Sequence, residues 1–560
     1  MFGCPLIGYR RLIVKQRQSL ILFLNENGYP GDRAKALLSC ARVYLVPSGQ
    51  GRFPVTEKDA HHPLRERDVI CLPMVLSPSC QRKLDTVPSI EMLIGGQSIL
   101  EAIERALHNA ERYVYISAWE LDPDIPMPVS GLTFGQLFRE RILPSNKNLR
   151  IYILWNRRLP GKVFTRKELR EKAIEMFTEK FIDQVQVIGS LRKEFTWEYK
   201  PVSIAEFIGR ALAQELVEWL VLGCHHTKSI VVDGRVAFCG SADLVHRVAR
   251  GMAHEVTARV TGGTIRAIEE DFVDRWNRER KEHSVIPYEE CMGIPIVGAD
   301  RLDVRKPGPE PRPRGERRSS SVCRTDPENE VPQKRWEIDR AIRKLILDAK
   351  ERIYIENQYF REPNIAKLLR AWVTKSPDRK LTILGPDVAE EIALEIEDLN
   401  WQDLRFFEQL MIFGEVETIR HLTIPENGGG YRPIDNVKIL SLSPHMTPRP
   451  YIHSKVFITD PHLGGSKMVV GSANLNPRGL NGRVDYELGL LVENPKVVQK
   501  AYQDLMDLFF EGKSAFDELP DSVVENHYSH HRRLYLQALN EILEGRSFIH
   551  NQYKKFGFLL

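Results

Sequence analysis

YIHSKVFITDPHLGGSKMVVGSANLNPRGLNGRVDYE, residues Tyr451–Glu487, sets His453, Lys455 and Asp460 in the spacing H-x-K-x4-D on an apolar segment that reads as a β-strand. A second strand, Lys467 to Val470, runs into a turn, Gly471-Ser472-Ala473-Asn474. Side chains at i and i+2 of a strand share a face, so the imidazole of His453 and the ammonium of Lys455 project into one space. That pair suits a phosphate. One imidazole cannot both attack a phosphodiester and protonate its leaving group, so the stretch implies a partner elsewhere in the chain.

The partner is HHTKSIVVDGRVAFCGSADL, His225–Leu244, with His226, Lys228 and Asp233 in the same spacing, a strand Val236 to Cys239, and a turn Gly240-Ser241-Ala242-Asp243. The duplication reaches upstream. Ala341–Phe360, AIRKLILDAKERIYIENQYF, repeats the helix-then-strand pattern of Ala106–Leu121, ALHNAERYVYISAWEL, and KLTIL at Lys380–Leu384 repeats LRIYILW at Leu149–Trp155. Each half reads helix, strand, helix, strand, variable region, H-x-K strand, G-S turn, acidic strand, helix. The expected fold class is α/β, with two similar lobes of mixed sheet flanked by helices. The expected divisions are an unassigned N-terminal segment, 1–88; a first lobe, 89–300; a linker rich in Pro, Arg and Ser, 301–335; a second lobe, 336–518; and a C-terminal helical tail, 519–560.

Outside the repeats the chain is plainer. The N-terminal segment carries a helical stretch near Arg33 to Val43 and a polar turn at His61-His62. Lys162 to Lys180 reads as a basic helix with a solvated face, and FFEQLMIF at Phe406–Phe413 as a core helix in preference to a lipid-dipping one. Eight cysteines without finger spacing read as free, mostly buried thiols, and no zinc site is suggested. Net charge is +4 over 560 residues, so no global field argues for nucleic acid or acidic lipid. No apolar run approaches the roughly 20 residues of a membrane-spanning helix, and the first residues lack the order of a secretory signal. The expected setting is cytoplasmic or peripheral to a membrane.

A phosphodiester repels nucleophiles through its anionic oxygens. Cleaving it takes a nucleophile, a proton donor on the opposite side, and cations around the equatorial oxygens. Two histidines, two lysines and two hydrogen-bonding turns supply these, with Lys228, Lys455, Asn474, Ser241 and Ser472 as phosphate contacts. Each imidazole also needs its second nitrogen held. Glu255 in MAHEVTARV and Glu487 in VDYELGLLV, each a similar distance downstream of its own histidine, are the candidates, because a carboxylate in an apolar run demands a buried partner. Asp233 and Asp460 each close a strand and read as anchors of turn backbone, and Asp243 as a contact to backbone or to a lysine.

At these residues the chain resembles the phospholipase D superfamily, whose signature is the paired H-x-K-x4-D, over roughly Gly95 to Phe510. Within it, IYIENQYF at Ile353–Phe360 and GSANLNPRGLNGRVDYELGLLVE at Gly471–Glu493 are similar to phosphatidylcholine-type phospholipases D. The resemblance implies two lobes about a pseudo-two-fold axis with one shared active site, and catalysis through phosphohistidine without metal or other cofactor. It makes His226 the nucleophile and His453 the general acid and base, with Glu255 and Glu487 as histidine partners. The expected substrate is a phospholipid at a membrane surface, met by a monomer, with hydrolysis to phosphatidic acid and transfer of the phosphatidyl group to alcohols. A cardiolipin or phosphatidylserine synthase and a superfamily nuclease stand as alternatives. The chain departs from the family at VHRVARGMAH, Val245–His254, where an Arg-Trp-Asp element is common.

Overall fold

The computed structural model of the chain describes residues 9–14, 18–26, 32–40, 43–47, 53–66, 68–73, 89–156, 158–159, 162–163, 171–172, 175–177, 181, 184–190, 224–281, 294–297, 302, 320–327, 335–386, 406–426, 430–481, 485–529, 532–545 and 551. A small N-terminal unit comes first. Its strands β1 (Tyr9–Ile13), β2 (Val43–Val46), β3 (Phe53–Val55) and β4 (Val69–Pro73) form an antiparallel sheet in the order β1-β4-β2-β3. Helices Leu20–Glu26 and Asp32–Cys40 cover a separate core of Leu20, Phe23, Leu24, Leu37 and Ile70. His61 and His62 lie exposed on a turn.

Among the described residues that follow, two eight-stranded sheets dominate. The first contains β5 (Ser89–Ile94), β6 (Tyr113–Ala118), β7 (Arg150–Asn156), β8 (Val185–Ser190), β9 (Ser229–Val232), β10 (Val236–Gly240), β11 (Val256–Thr261) and β12 (Ile294–Val297), in the order β5-β11-β10-β9-β6-β7-β8-β12. The second contains β13 (Ser320–Thr325), β14 (Arg352–Asn357), β15 (Lys380–Leu384), β16 (Val437–Leu442), β17 (Lys455–Thr459), β18 (Lys467–Gly471), β19 (Glu487–Val492) and β20 (Val524–Asn526), in the order β13-β19-β18-β17-β14-β15-β16-β20. The orders correspond strand for strand. So do the pairing senses: β6-β7-β8 and β14-β15-β16 are parallel, and every other neighbour is antiparallel.

Central strands such as β6, β9, β10, β11 and β17 are buried on both faces, and the pleat sorts their side chains between two layers. In β6, Val114, Ile116 and Ala118 join an outer core with the amphipathic helix Gly96–His108, while Tyr113 and Tyr115 point to a central layer. In β14, Ile353 and Ile355 face an outer core closed by helices Glu337–Asp348, Pro363–Val373, Phe406–Ile419 and Arg532–Glu544, and Tyr354 faces the centre. The central layer draws on both lobes. Phe272 and Trp276 of helix Ile265–Lys281 and Met506 and Phe509 of helix Pro495–Phe509 are buried there together.

Two expectations change. The stretch expected to be a linker, 301–335, contains β13, which pairs antiparallel with β19 from Ser320↔Val492 to Thr325↔Glu487. A strand with one neighbour needs only partial apolar character, so SSVCRT passes for linker in sequence. Lys162–Val163 forms a short strand against Arg158–Leu159 and not the start of a helix; most of Lys162–Lys180 lies outside the described residues. Leu410, Met411, Ile412 and Phe413 of the FFEQLMIF segment are all core residues. Among the described residues no helix is long and apolar enough to cross a membrane. Cys224, Cys239 and Cys323 are free and buried.

Candidate active site

Each motif histidine sits just before its strand, on backbone that is spliced to the other lobe. His226 N–H donates to Tyr486 O at 3.0 Å, and Tyr486 N–H donates to Cys224 O at 2.9 Å. Reciprocally, His453 N–H donates to His254 O at 3.0 Å, and Ala253–His254 pairs in parallel with Tyr451–Ile452. These splices set the register between lobes. Glu487 follows Tyr486 and Glu255 follows His254, so each carboxylate is delivered to the histidine of the opposite lobe.

The carboxylate pairs are therefore crossed. His226 Nδ1 is 2.9 Å from Glu487 Oε1, and His453 Nδ1 is 2.8 Å from Glu255 Oε1. The sequence frame had assigned each glutamate to the histidine of its own lobe; the inter-lobe splices overturn that pairing. With Nδ1–H donating to a carboxylate, Nε2 of each ring is left for chemistry. His226 and His453 are nearly buried, with side chains 13 % and 8 % exposed.

The lysines stand beside them. Lys228 Nζ donates to His226 O at 3.0 Å and lies 3.3 Å from Asp243 Oδ2. Lys455 Nζ donates to His453 O at 2.5 Å and to Gln358 Oε1 at 3.0 Å. Burial draws the Lys455 ammonium down to about 7; Glu255 opposes the drop and Lys228 adds to it, so the two lysines feel one another across the lobes. Burial likewise pulls the His453 imidazole down to about 3 against Glu255, with Lys455 deepening the drop. For Glu255, burial pushes upward, but His453 and Lys455 hold the carboxyl at about 2. The Nδ1–Glu255 contact is open to a neutral as well as a charged ring, since both can donate through Nδ1.

The remaining predicted residues divide. Asp233 takes backbone N–H bonds from Glu111, Arg112 and Tyr113 at 2.7–2.9 Å, and Asp460 takes them from Lys350, Glu351 and Arg352 at 2.8–2.9 Å. Both aspartates have positive φ, 56° and 47°, which a carboxylate binding nearby backbone tolerates. Asp243 Oδ1 accepts from Trp119 and Glu120 N–H, leaving Oδ2 toward Lys228. Asn474 is 5 % exposed, and its Oδ1 has no hydrogen-bond partner among the described residues.

Ser241 and Ser472 are corrected. Neither is exposed, and both hydroxyls are used internally: Ser241 Oγ bridges Val256 N–H and O, while Ser472 Oγ accepts from Leu488 N–H and donates to Glu487 Oε2 at 2.5 Å. They brace the strands that carry the glutamates and do not face a phosphate.

Several residues at the site carried no motif signal. Trp119 lies under Lys228 Nζ, 5.9 Å from the ring centroid, and meets His226 edge-on at 5.3 Å. Arg247, in the stretch that departs from the family pattern, pairs with Glu120 at 3.0 Å, and its charge reaches Asp243, Glu255 and Tyr451. Aromatic flanks of the YISAWEL type are the one cue that sequence offered for Trp119.

The family model described as cardiolipin synthase, PLD-like domain, matches residues 342–508. Phospholipase D A of Dictyostelium discoideum is 21 % identical over 473 residues, covering 72 % of this chain and 33 % of that protein, so the chain spans about a third of that curated relative's length. Among solved structures, a phosphatidylserine synthase of Haemophilus influenzae aligns with a TM-score of 0.48 at 14 % identity, over 85 % of this chain and 96 % of the other. A polyphosphate kinase from Porphyromonas gingivalis aligns with a TM-score of 0.38 at 9 % identity, over 81 % and 55 %. A phospholipase D-like domain is thus matched within the second lobe, and similarity to a phospholipase D runs over most of the chain.

Proposed function

We propose that the protein is a phospholipase D-type phosphodiesterase that hydrolyses phosphatidylcholine-like lipids to phosphatidic acid and transfers the phosphatidyl group to alcohols. The observation that carries this reading is the crossed arrangement of two imidazoles, each held at Nδ1 by a carboxylate of the other lobe, beside two buried lysines.

His226 Nε2 attacks phosphorus. The N–P bond forms as the P–O bond to the head group breaks, and the imidazolium of His453 gives its proton to the departing oxygen. Water or an alcohol then gives a proton to His453 as its oxygen attacks phosphorus, and the N–P bond breaks. The lysines hold the equatorial oxygens throughout. In the empty site burial keeps His453 neutral at neutral pH, so a phosphate anion must first raise its pKa before it can act as an acid. Burial of that ring thus couples proton loading to substrate binding.

A second reading, transfer to a lipid alcohol as in a phosphatidyl synthase, is favoured by the description of the family model over 342–508. The two share the first half-reaction and differ in the acceptor. Purified protein is incubated with phosphatidylcholine vesicles and ethanol, with phosphatidylglycerol vesicles, and with single- and double-stranded DNA, each with and without EDTA. Phosphatidylethanol formed equally with EDTA is the expected result. Cardiolipin without phosphatidic acid selects the synthase, and DNA cleavage without lipid product overturns both lipid readings.

A further inference from the structure

One layer below the two imidazoles lie buried charges of opposite sign. On the first side, Arg275 of helix Ile265–Lys281 donates from Nη1 to Thr227 Oγ1 at 2.5 Å and meets His225 Nδ1 at 3.0 Å, so it grips both neighbours of His226. Asp271 holds the other edge of the guanidinium at 2.6 and 3.0 Å. Because Nδ1 of His225 faces a donor, its proton sits on Nε2, 2.7 Å from Glu279 Oε1, and the ring stacks on Tyr486, the residue before Glu487.

On the second side the hub is a carboxylate. Glu356, wholly buried on β14, accepts from Ser454 Oγ at 2.7 Å, from His254 Nε2 at 2.9 Å and from Tyr354 OH at 2.7 Å. Ser454 follows His453 and His254 precedes Glu255, so one carboxylate ties both members of the His453–Glu255 pair across the lobes. Strand register makes the contrast direct. Glu356 lies opposite Val456 as Ser117 lies opposite Ser229, each three residues after its motif histidine, and where the second lobe has a carboxylate the first has a serine and a guanidinium reaching in from a helix.

We propose that Glu356 and Arg275 are positioning residues for different steps: Glu356 holds the His453–Glu255 pair for proton transfer, and Arg275 holds His226 for attack on phosphorus. The inference rests on the histidine roles proposed above. Attack and proton transfer each depend on ring placement to within a fraction of an ångström, and each hub fixes backbone on either side of a different ring.

The test compares vesicles of phosphatidylcholine with vesicles of phosphatidyl-p-nitrophenol, whose leaving group departs as the anion without needing a proton, using the full chain in a rapid-mixing instrument. For Glu356→Gln, phosphatidylcholine turnover is expected to fall about 10- to 100-fold, a share of the contribution of a general acid, while the first-turnover burst of p-nitrophenol stays within about threefold of wild type. Ser454→Ala, which removes a single hydroxyl, should give the same pattern more weakly and carries the test if the glutamine variant misfolds. Arg275→Lys should slow the burst and phosphatidylcholine turnover by the same factor. Parallel losses on both diesters in Glu356→Gln and Ser454→Ala, or no loss on either, overturn the inference while leaving the phosphodiesterase reading intact. A wild-type protein that turns over neither diester refutes that reading and the inference with it.

Discussion

The crossing of the two carboxylates decides which substitutions should interact. A hydrogen bond to a charged partner is worth about 1.5–3 kcal/mol, and breaking it from either end removes the same bond. A double-mutant cycle on unfolding free energy should therefore couple His453→Ala with Glu255→Ala by about 1–3 kcal/mol and leave His453→Ala nearly additive with Glu487→Ala. Coupling to Glu487 in place of Glu255 would show that the pairs are not crossed. The same ring sets an acid-side dependence. Its pKa is about 3 in the folded site against about 6.5 unfolded, so above pH 6.5 it imposes no proton-linked penalty. As pH falls from 6.5 towards 3 the unfolded chain binds the proton first, and stability drops by up to about 1.4 kcal/mol per pH unit. Between pH 6.5 and 4.5, urea unfolding of His453→Gln should lose on the order of 2 kcal/mol less than wild type. Glu255, at about 2, adds its own loss only below its ordinary range near 4.5.

At the scale of elements, the turn glycines follow from close packing of neighbouring strands. A Cβ on Gly471 would meet Leu488 O at 2.5 Å and Gly489 Cα at 2.6 Å, and one on Gly240 would meet Thr257 Cα and Val256 O at 2.5 Å. These are backbone atoms of the strands that carry Glu487 and Glu255, so the clash cannot be relieved by turning a side chain. Gly471→Ala and Gly240→Ala should each cost about 1–3 kcal/mol in urea unfolding and should slow turnover as well, because the strand that shifts carries a histidine partner. A destabilised variant with full kcat would separate the turn from the site. Strand spacing alone made the histidines, the lysines and the backbone-anchoring aspartates legible, since H-x-K and a strand-closing Asp are local patterns. The crossing was not legible, because it depends on the register of Tyr486 against His225 and of His254 against Ile452, which no local pattern encodes. Strand β13 hid in polar sequence for a similar reason, its pairing with β19 being the only thing that makes it a strand. Glu356 could have been found by the reasoning that found Glu255, an acid in the apolar run IYIEN, whereas Arg275 in DRWNRERK resembles a solvated helix face.

At the scale of the whole molecule, the two sheets meet through one central core, and the site draws its groups from both sides of that seam. The charges that converge there are incompletely protonated before substrate arrives: Lys455 is held to about 7 chiefly by burial, and His453 to about 3. An anion between the lobes favours the charged form of each, so its binding must draw protons from solution. At pH 8 Lys455 is largely neutral in the empty site and largely charged beside a dianion, and proton uptake on binding should approach one. Towards pH 7 the share from Lys455 falls, since it is already half protonated, while any share from His453 rises. The sign follows from linkage: affinity weakens as pH rises, by up to about tenfold per unit for each proton taken up. Tungstate, which does not itself titrate between pH 7 and 9, is the probe. Titration calorimetry in buffers of different ionisation enthalpy should give net uptake near one proton at pH 8 for wild type and markedly less for Lys455→Met. His226→Ala should weaken tungstate while keeping the uptake that Lys455 supplies. Binding without uptake at pH 8 would mean that the Lys455 ammonium is already charged in the empty seam, and that the lobes do not use substrate charge to load the site with protons.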